Sequence, residues 1–159
     1  MRFNKAIKNL FIVLFSTLLI SACSTAKKSA LDTTDDVYTG TETVKYLANG
    51  VPDRVFFATN KSKLTTASRD TLRKQATWMR KNKDLTITLE GHADERGTRE
   101  YNLALGERRA NAAKDYLMTY GVSGKRISVI SYGKERPVNP ASSPLAWSQN
   151  RRSVTVKAN

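Results

Sequence analysis

The sequence predicts an α+β domain in which a small mixed sheet carries two helices on one face. Short runs rich in β-branched and aromatic residues alternate with two longer segments that repeat apolar residues every three or four positions. The order of these segments is β-α-β-α-β-β. Because crossovers between strands are right-handed, both helices are expected on the same side of the sheet.

The first strand is predicted at residues 54–57, a short run with β-branched and aromatic residues. The first helix is predicted from about Thr66 to Lys81. In this segment Leu72, Ala76 and Met79 share one face, which is therefore expected to pack on the sheet.

The second strand and the second helix lie in the middle of the chain. Residues 85–89 alternate strictly between apolar and polar side chains, which is typical of a half-buried strand, and residues 91–97 follow as a polar loop. A helix is predicted over residues 99–120, with Gly121 placed to end it. Its apolar stripe comprises Leu103, Ala110, Ala113, Leu117 and Tyr120.

Two further strands complete the predicted fold. Residues 127–132 alternate as a half-buried strand does, and residues 154–156 form the last strand. The proline-rich segment at 137–144 between them is predicted to be a loop. No internal repeat is visible, so a single domain carries the function.

The first 22 residues have the features of a secretory signal peptide. Arg2, Lys5 and Lys8 precede a short apolar run at residues 10–20, and small residues follow it. This run is shorter than the roughly 20 residues that a transmembrane helix needs. We therefore exclude residues 1–22 from the folded domain and expect them to be cleaved.

Cys23, the only cysteine, stands directly after this segment and has no partner for an internal disulfide. The string at residues 20–23 resembles the lipobox of bacterial lipoproteins. The resemblance implies that Cys23 is lipidated and becomes the mature N-terminus, and that Ser24 directs the chain to the outer membrane. Several acyl chains on one cysteine hold a domain at a membrane that it does not span.

Residues 24–44 are predicted to be a flexible tether. They are rich in Thr, Ser, Ala, Lys and Asp, and such a composition buries too little apolar surface to offset the entropy of ordering. The predicted organisation is thus a signal peptide at 1–22, a lipidated cysteine with its tether at 23–44, and a folded domain at 45–159.

The chain is strongly basic. Its formal charge of +13 falls to +10 when the three basic residues of the signal segment are removed, since that segment contains no acidic residue. A basic surface attracts anionic partners, including nucleic acid, anionic lipid and carboxylate-bearing cell wall. Export argues against nucleic acid, as does the wide separation of Trp78 and Trp147.

Charged and polar residues cluster in the loop after the second strand and on the helix that follows. Asn102, Leu105 and Arg109 share a flank of this helix, which allows Arg109 to point toward the loop at Asp94. An arginine binds a carboxylate through two parallel hydrogen bonds, and an aspartate accepts an ammonium. The pair would suit a zwitterionic ligand.

Other interpretations of these residues remain open. Asp94 could cap the helix or a turn, and Arg109 could be a structural arginine paired with Glu90 or Glu107. His92, Asp94 and Glu95 could also perform acid–base hydrolysis. Against an enzyme, His92 is the only histidine, and no recognisable set of metal ligands appears, so we expect no catalysis, metal or cofactor.

Several motifs occur in order along the chain. They lie at residues 91–98, 101–102, 105–110, 131–133 and 150–154, and read GHADERGT, YN, LGERRA, SYG and NRRSV. In this respect the sequence resembles the OmpA-like peptidoglycan-binding domain family, and most closely its lipoprotein branch. The resemblance covers essentially all of residues 53–157.

The resemblance implies a ligand and a set of contacts. The ligand is the diaminopimelate residue of the peptidoglycan stem peptide, and Asp94 and Arg109 match the two principal binding positions. The supporting positions are Arg96, Asn102, Leu105 and Asn60. Asn60 departs from the aspartate that is usual there and cannot supply charge, while Arg151 and Arg152 are predicted to lie outside the site.

The resemblance also implies a cellular role. Members of the lipoprotein branch tether the outer membrane to the cell wall, with their domain facing the periplasm. They bind TolB and TolA in the Tol-Pal system, which maintains the envelope and acts in cell division. No nucleic-acid partner is implied.

Overall fold

The computed structural model of the protein describes residues 36–158. The predictions for the signal peptide, for Cys23 and for residues 24–35 fall outside these residues. The strands are β1 (Tyr46–Ala48), β2 (Val51–Pro52), β3 (Arg54–Phe56), β4 (Thr86–His92), β5 (Ile127–Gly133) and β6 (Arg152–Ala158). The helices are α1 (Thr66–Lys81), α2 (Arg99–Thr119) and α3 (Pro144–Asn150), with a 3₁₀ turn at Gly124–Arg126.

Four of the strands form a mixed sheet in the order β3-β6-β4-β5. Strand β6 runs antiparallel to both of its neighbours, whereas β4 and β5 are parallel. The last strand of the chain therefore lies inside the sheet. β1 and β2 form a separate two-stranded ribbon before it.

Both long helices pack on one face of the sheet, and the core lies between these helices and the sheet. Each begins at a threonine whose side chain accepts a hydrogen bond from a helical N–H, Thr65 for α1 and Thr98 for α2. The core residues contributed by helices and sheet are Val55, Phe57, Leu72, Ala76, Met79, Ile87, Leu89, Ala110, Ala113, Leu117, Val122 and Ile127. Burial of these side chains fixes how α2 lies across β4 and β5.

Two glycines allow α2 to approach the sheet closely. A Cβ added to Gly91 in β4 would lie 1.8 Å from the carbonyl oxygen of Gly106 in α2. A Cβ added to Gly106 would lie 2.3 Å from Oγ of Ser131. The close contact holds the first turns of α2, which carry part of the predicted site, against the end of β4.

The predicted fold class and strand–helix order are confirmed, with additions. α1 has the predicted bounds, whereas β4 extends through His92, which was predicted to lie in the loop. The ribbon β1–β2 and the short helix α3 were not predicted. Strands of two or three residues show no periodicity, and Pro144 at the start of α3 was interpreted as part of a loop.

The segment before β1 is not a free tether along its whole length. Val37 and Tyr38 are 5% and 2% exposed and form a second apolar cluster with Phe56 and Ala58. The packed part of the chain therefore begins before residue 45, where the sequence placed the domain boundary. Within residues 36–158, no helix is both long and apolar enough to cross a membrane.

Candidate binding site

Asp94 lies in the loop just beyond β4 and is 7% exposed. The preceding residue, Ala93, donates its N–H to the carbonyl of Gly133 at 2.8 Å, which ties the loop to the end of β5. The carboxylate is thus fixed at the carboxyl end of two parallel strands, a place where the backbone leaves the sheet and side chains can face a ligand.

Two arginines surround the Asp94 carboxylate. Arg96 donates to it from its backbone N–H at 3.1 Å, from Nε at 3.1 Å and from Nη2 at 2.7 Å, and Nη1 of Arg151 lies at 3.4 Å. Burial by itself would raise the pKa of Asp94, but these hydrogen bonds and the two guanidinium charges hold it below its ordinary value. Asp94 is therefore a buried carboxylate that is ionised at neutral pH.

Arg96 is the exposed edge of the site. Its side chain is 41% exposed, and its guanidinium lies 4.3 Å from the ring centre of Trp147 in α3. Glu95 accepts a hydrogen bond from the Trp147 indole at 2.8 Å and another from Ser142 at 2.6 Å. The unpredicted helix α3 thus supplies the ring on which Arg96 rests.

Arg109, on α2, is fully buried, and the charge of Asp94 acts on its guanidinium. Its guanidinium donates to three backbone carbonyls, those of Ala58 at 3.1 Å, Lys61 at 3.0 Å and His92 at 2.8 Å. Burial and the charge of Arg151 lower the pKa of Arg109 to about 9, so it remains charged at neutral pH. Among residues 36–158, its hydrogen-bond partners are these carbonyls rather than Glu90 or Glu107.

The supporting residues have distinct places. Asn102 is 1% exposed and donates to the carbonyl of Arg96 at 2.8 Å, which shapes the loop around Asp94. Leu105 is 3% exposed on the same flank of α2. Asn60 is exposed and has a φ of +55°, a left-handed conformation that asparagine tolerates better than most residues.

The arrangement holds the negative charge of Asp94 against the positive charges of Arg96 and Arg151. Asp94 can accept an ammonium, while Arg96, Arg109 and Arg151 attract a carboxylate. Among residues 36–158, no group of three or more His, Cys, Asp or Glu side chains is placed to hold a metal ion. The charges around Asp94 are of the kind that can bind a charged group reversibly.

Comparison with known proteins agrees with this architecture. The model of the OmpA family matches residues 56–151, which include every residue described above from Ala58 to Arg151. The chain belongs to the OmpA family.

Relatives of this OmpA-family chain share most of its length. It is 44% identical to the peptidoglycan-associated lipoprotein of Brucella melitensis over 91% of this chain and 89% of that one. It is 56% identical to the protein of the same name from Rhizobium meliloti, over 67% of this chain and 60% of that one. The predicted resemblance to the lipoprotein branch of the family is confirmed.

Solved structures show the same fold. The crystal structure of the peptidoglycan-associated lipoprotein from Burkholderia pseudomallei has a TM-score of 0.65 and 34% identity, covering 67% of this chain and 90% of that one. The C-terminal domain of Helicobacter pylori MotB has a TM-score of 0.63 at 22% identity, over 67% of this chain and 84% of that one. The latter likeness concerns the fold alone.

Arg151 of the OmpA domain was predicted to lie outside the site, but in the structure it contacts Asp94. Its side chain is 3% exposed and donates from Nε to the carbonyl of Phe57 at 3.0 Å, in addition to its contact with Asp94. The pair Arg151 and Asp94 is separated by 57 positions, so no local periodicity could reveal it. The adjacent arginines of the NRRSV motif were the available signal.

The side chains of Arg152 and His92 lie on the face of the sheet that is opposite to α1 and α2, away from Asp94. Arg152 donates to the carbonyl of Arg136 at 3.1 Å. His92 is 2% exposed; burial, together with the charges of Arg152, Arg54 and Arg136, lowers its pKa from 6.5 to about 3. His92 is therefore neutral at neutral pH, which disfavours the acid–base role considered from the sequence.

Proposed function

We propose that this protein is an outer-membrane lipoprotein whose domain binds peptidoglycan non-covalently through the diaminopimelate of the stem peptide. The observation that carries the proposal is the buried, ionised Asp94 beside Arg96, Arg109 and Arg151 in an OmpA-family domain. The names of the relatives support peptidoglycan as the polymer that is bound, since they are peptidoglycan-associated lipoproteins. The proposed role is binding without catalysis.

The side-chain end of diaminopimelate carries an ammonium and a carboxylate on one carbon. In the proposed complex Asp94 accepts the ammonium, and the carboxylate lies on the arginine side of the site. Three of the five N–H groups of Arg109 are used by backbone carbonyls. Because Arg109 is fully covered, a hydrogen bond from it to the ligand requires the covering residues to move.

The same proposal gives the domain a place in the envelope. Acyl chains on Cys23 hold one end of the chain in the outer membrane, and the domain, facing the periplasm, holds the cell wall. Many copies facing one continuous polymer bind far more strongly together than each does alone. By family resemblance the partners include TolB and TolA of the Tol-Pal system, with a role in envelope integrity and cell division.

The test is retention of the chain from Ser24 onward on purified peptidoglycan sacculi. Asp94→Asn removes the charge but keeps the shape, and Arg109→Lys keeps the charge but loses the fork. Removing one partner of a buried charge pair costs about 2–5 kcal/mol, so at least a tenfold loss of retention is expected for Asp94→Asn. A smaller loss is expected for Arg109→Lys.

Asp84→Asn is the matched control, because Asp84 is an exposed acid in the turn between α1 and β4. It should be retained like the parent, and circular dichroism should show all four proteins folded. Equal retention of the parent and of folded Asp94→Asn would refute the proposed site.

A further inference from the structure

Asp36, at the start of the described chain, lies directly against the candidate site. Its carboxylate accepts hydrogen bonds from the backbone N–H of Thr59 at 3.0 Å and from the Thr59 hydroxyl, and it lies 3.3 Å from Nη2 of Arg151. The same guanidinium donates to the backbone carbonyl of Asp36. A residue assigned to the tether by its composition is thus bound by residues of the domain.

The donors that hold Asp36 are continuous with those around Asp94. Arg151 reaches Asp94 with Nη1 and Asp36 with Nη2. Arg96 donates to Asp94 and also to the Thr59 hydroxyl at 3.2 Å. A backbone N–H, a hydroxyl and a guanidinium that converge on one carboxylate form the kind of donor set that binds a carboxylate ligand.

The two residues that follow anchor Asp36 in this position. Val37 and Tyr38 are buried against Phe56 and Ala58, and the rings of Tyr38 and Phe56 pack edge to face with centroids 4.8 Å apart. Asp36 itself is 42% exposed in its side chain. The anchor therefore keeps a solvent-accessible carboxylate at a high local concentration beside the site.

From these contacts we infer that Asp36 is an internal competitor, whose carboxylate fills the seat formed by Thr59 and Arg151 and must leave it before a carboxylate of the wall peptide can enter. The inference rests on the proposed function and deepens it. When a site is closed part of the time, its apparent affinity equals its intrinsic affinity multiplied by the fraction of molecules in which it is open. Because Asp36 belongs to the segment that leads to the membrane anchor, displacement of this segment opens the seat.

Calorimetry tests the inference with the mature lipidated protein in detergent micelles and the soluble tripeptide L-alanyl-γ-D-glutamyl-meso-diaminopimelate. Asp36→Asn is the informative variant, since asparagine tolerates the φ of +51° at this position but lacks the charge that pairs with Arg151. We expect Asp36→Asn to bind the tripeptide about three- to tenfold more tightly than the parent. The control Asp84→Asn removes the same charge far from the site and should bind like the parent.

The outcomes separate this inference from the proposed function. Unchanged or weaker binding by Asp36→Asn, with binding by the parent, overturns the inference alone, and weaker binding makes Asp36 a ligand contact instead. Absence of binding by the parent and by both variants overturns the proposed function and the inference together.

Discussion

The arginines near Asp94 have different roles because they are buried to different extents. Arg109 is fully buried and donates its N–H groups to backbone carbonyls, while Arg96 is 41% exposed and binds Asp94 from the solvent side.

Because the pKa of Asp94 is lowered on folding, its ionic contacts stabilise the fold above the unfolded pKa of about 4. This contribution is lost as the pH falls through the folded value.

His92 makes the stability of the domain depend on pH in a different range. Its pKa falls from 6.5 to about 3 on folding, so the unfolded chain takes up a proton that the folded chain does not. The stability is complete above pH 6.5 and decreases as the pH falls toward 3. We expect this residue to account for about 3 kcal/mol of the loss in unfolding free energy between pH 7 and pH 4.

Urea unfolding of the parent and of His92→Gln at both pH values measures this contribution. The variant cannot take up the proton, so its loss between pH 7 and pH 4 should be smaller than the loss of the parent by about that amount. Parallel losses in the two proteins would show that His92 does not titrate as its buried position requires.

At the scale of elements, the contact between β4 and α2 sets the geometry of the site, since Asp94 follows β4 and Arg109 lies on α2. Gly91→Ala would place a methyl group 1.8 Å from the carbonyl of Gly106, and neither backbone segment can yield locally. We expect Gly91→Ala to lower the free energy of unfolding by about 3 kcal/mol and to weaken sacculus binding. Chemical denaturation and the retention assay give the two values.

Gly124→Ala is the control for this substitution. A Cβ at Gly124 meets the flexible end of Met118 at 3.2 Å, which can move aside. Its unfolding free energy should stay within about 1 kcal/mol of the parent. A Gly91→Ala protein as stable as this control would mean that α2 shifts away from the sheet without cost.

Elements with many residues and local signals were predictable, and those defined by distant contacts were not. The bounds of α1 follow the apolar periodicity of its sequence. The flank of α2 that was predicted to face the Asp94 loop carries Asn102, which donates to the carbonyl of Arg96 in that loop. The ribbon β1–β2 is too short to show a period. Arg151 could not be derived locally, because its partner Asp94 lies 57 positions away and its partner Asp36 lies 115 positions away.

At the scale of the whole molecule, packed side chains begin before the domain boundary that composition predicted. Residues 24–44 contain few large apolar side chains, and their average polarity predicted a tether throughout. Two of those side chains, Val37 and Tyr38, are nevertheless buried against Phe56, the last residue of β3, and Ala58, which follows that strand. Average composition does not report where a few anchoring residues pack.

Chains that begin at Ser24, Asp36 and Lys45 therefore should not be equally stable. Starting at Lys45 removes Val37 and Tyr38 and exposes Phe56 and Ala58, which are 7% exposed in the intact structure. Burial of one valine and one tyrosine contributes about 2–4 kcal/mol, so the Lys45 chain should unfold at a clearly lower urea concentration. The Asp36 chain keeps the apolar cluster and should match the Ser24 chain. Equal midpoints for all three chains would show that residues 36–44 pack on the domain without stabilising it, and the domain would then begin where composition placed it.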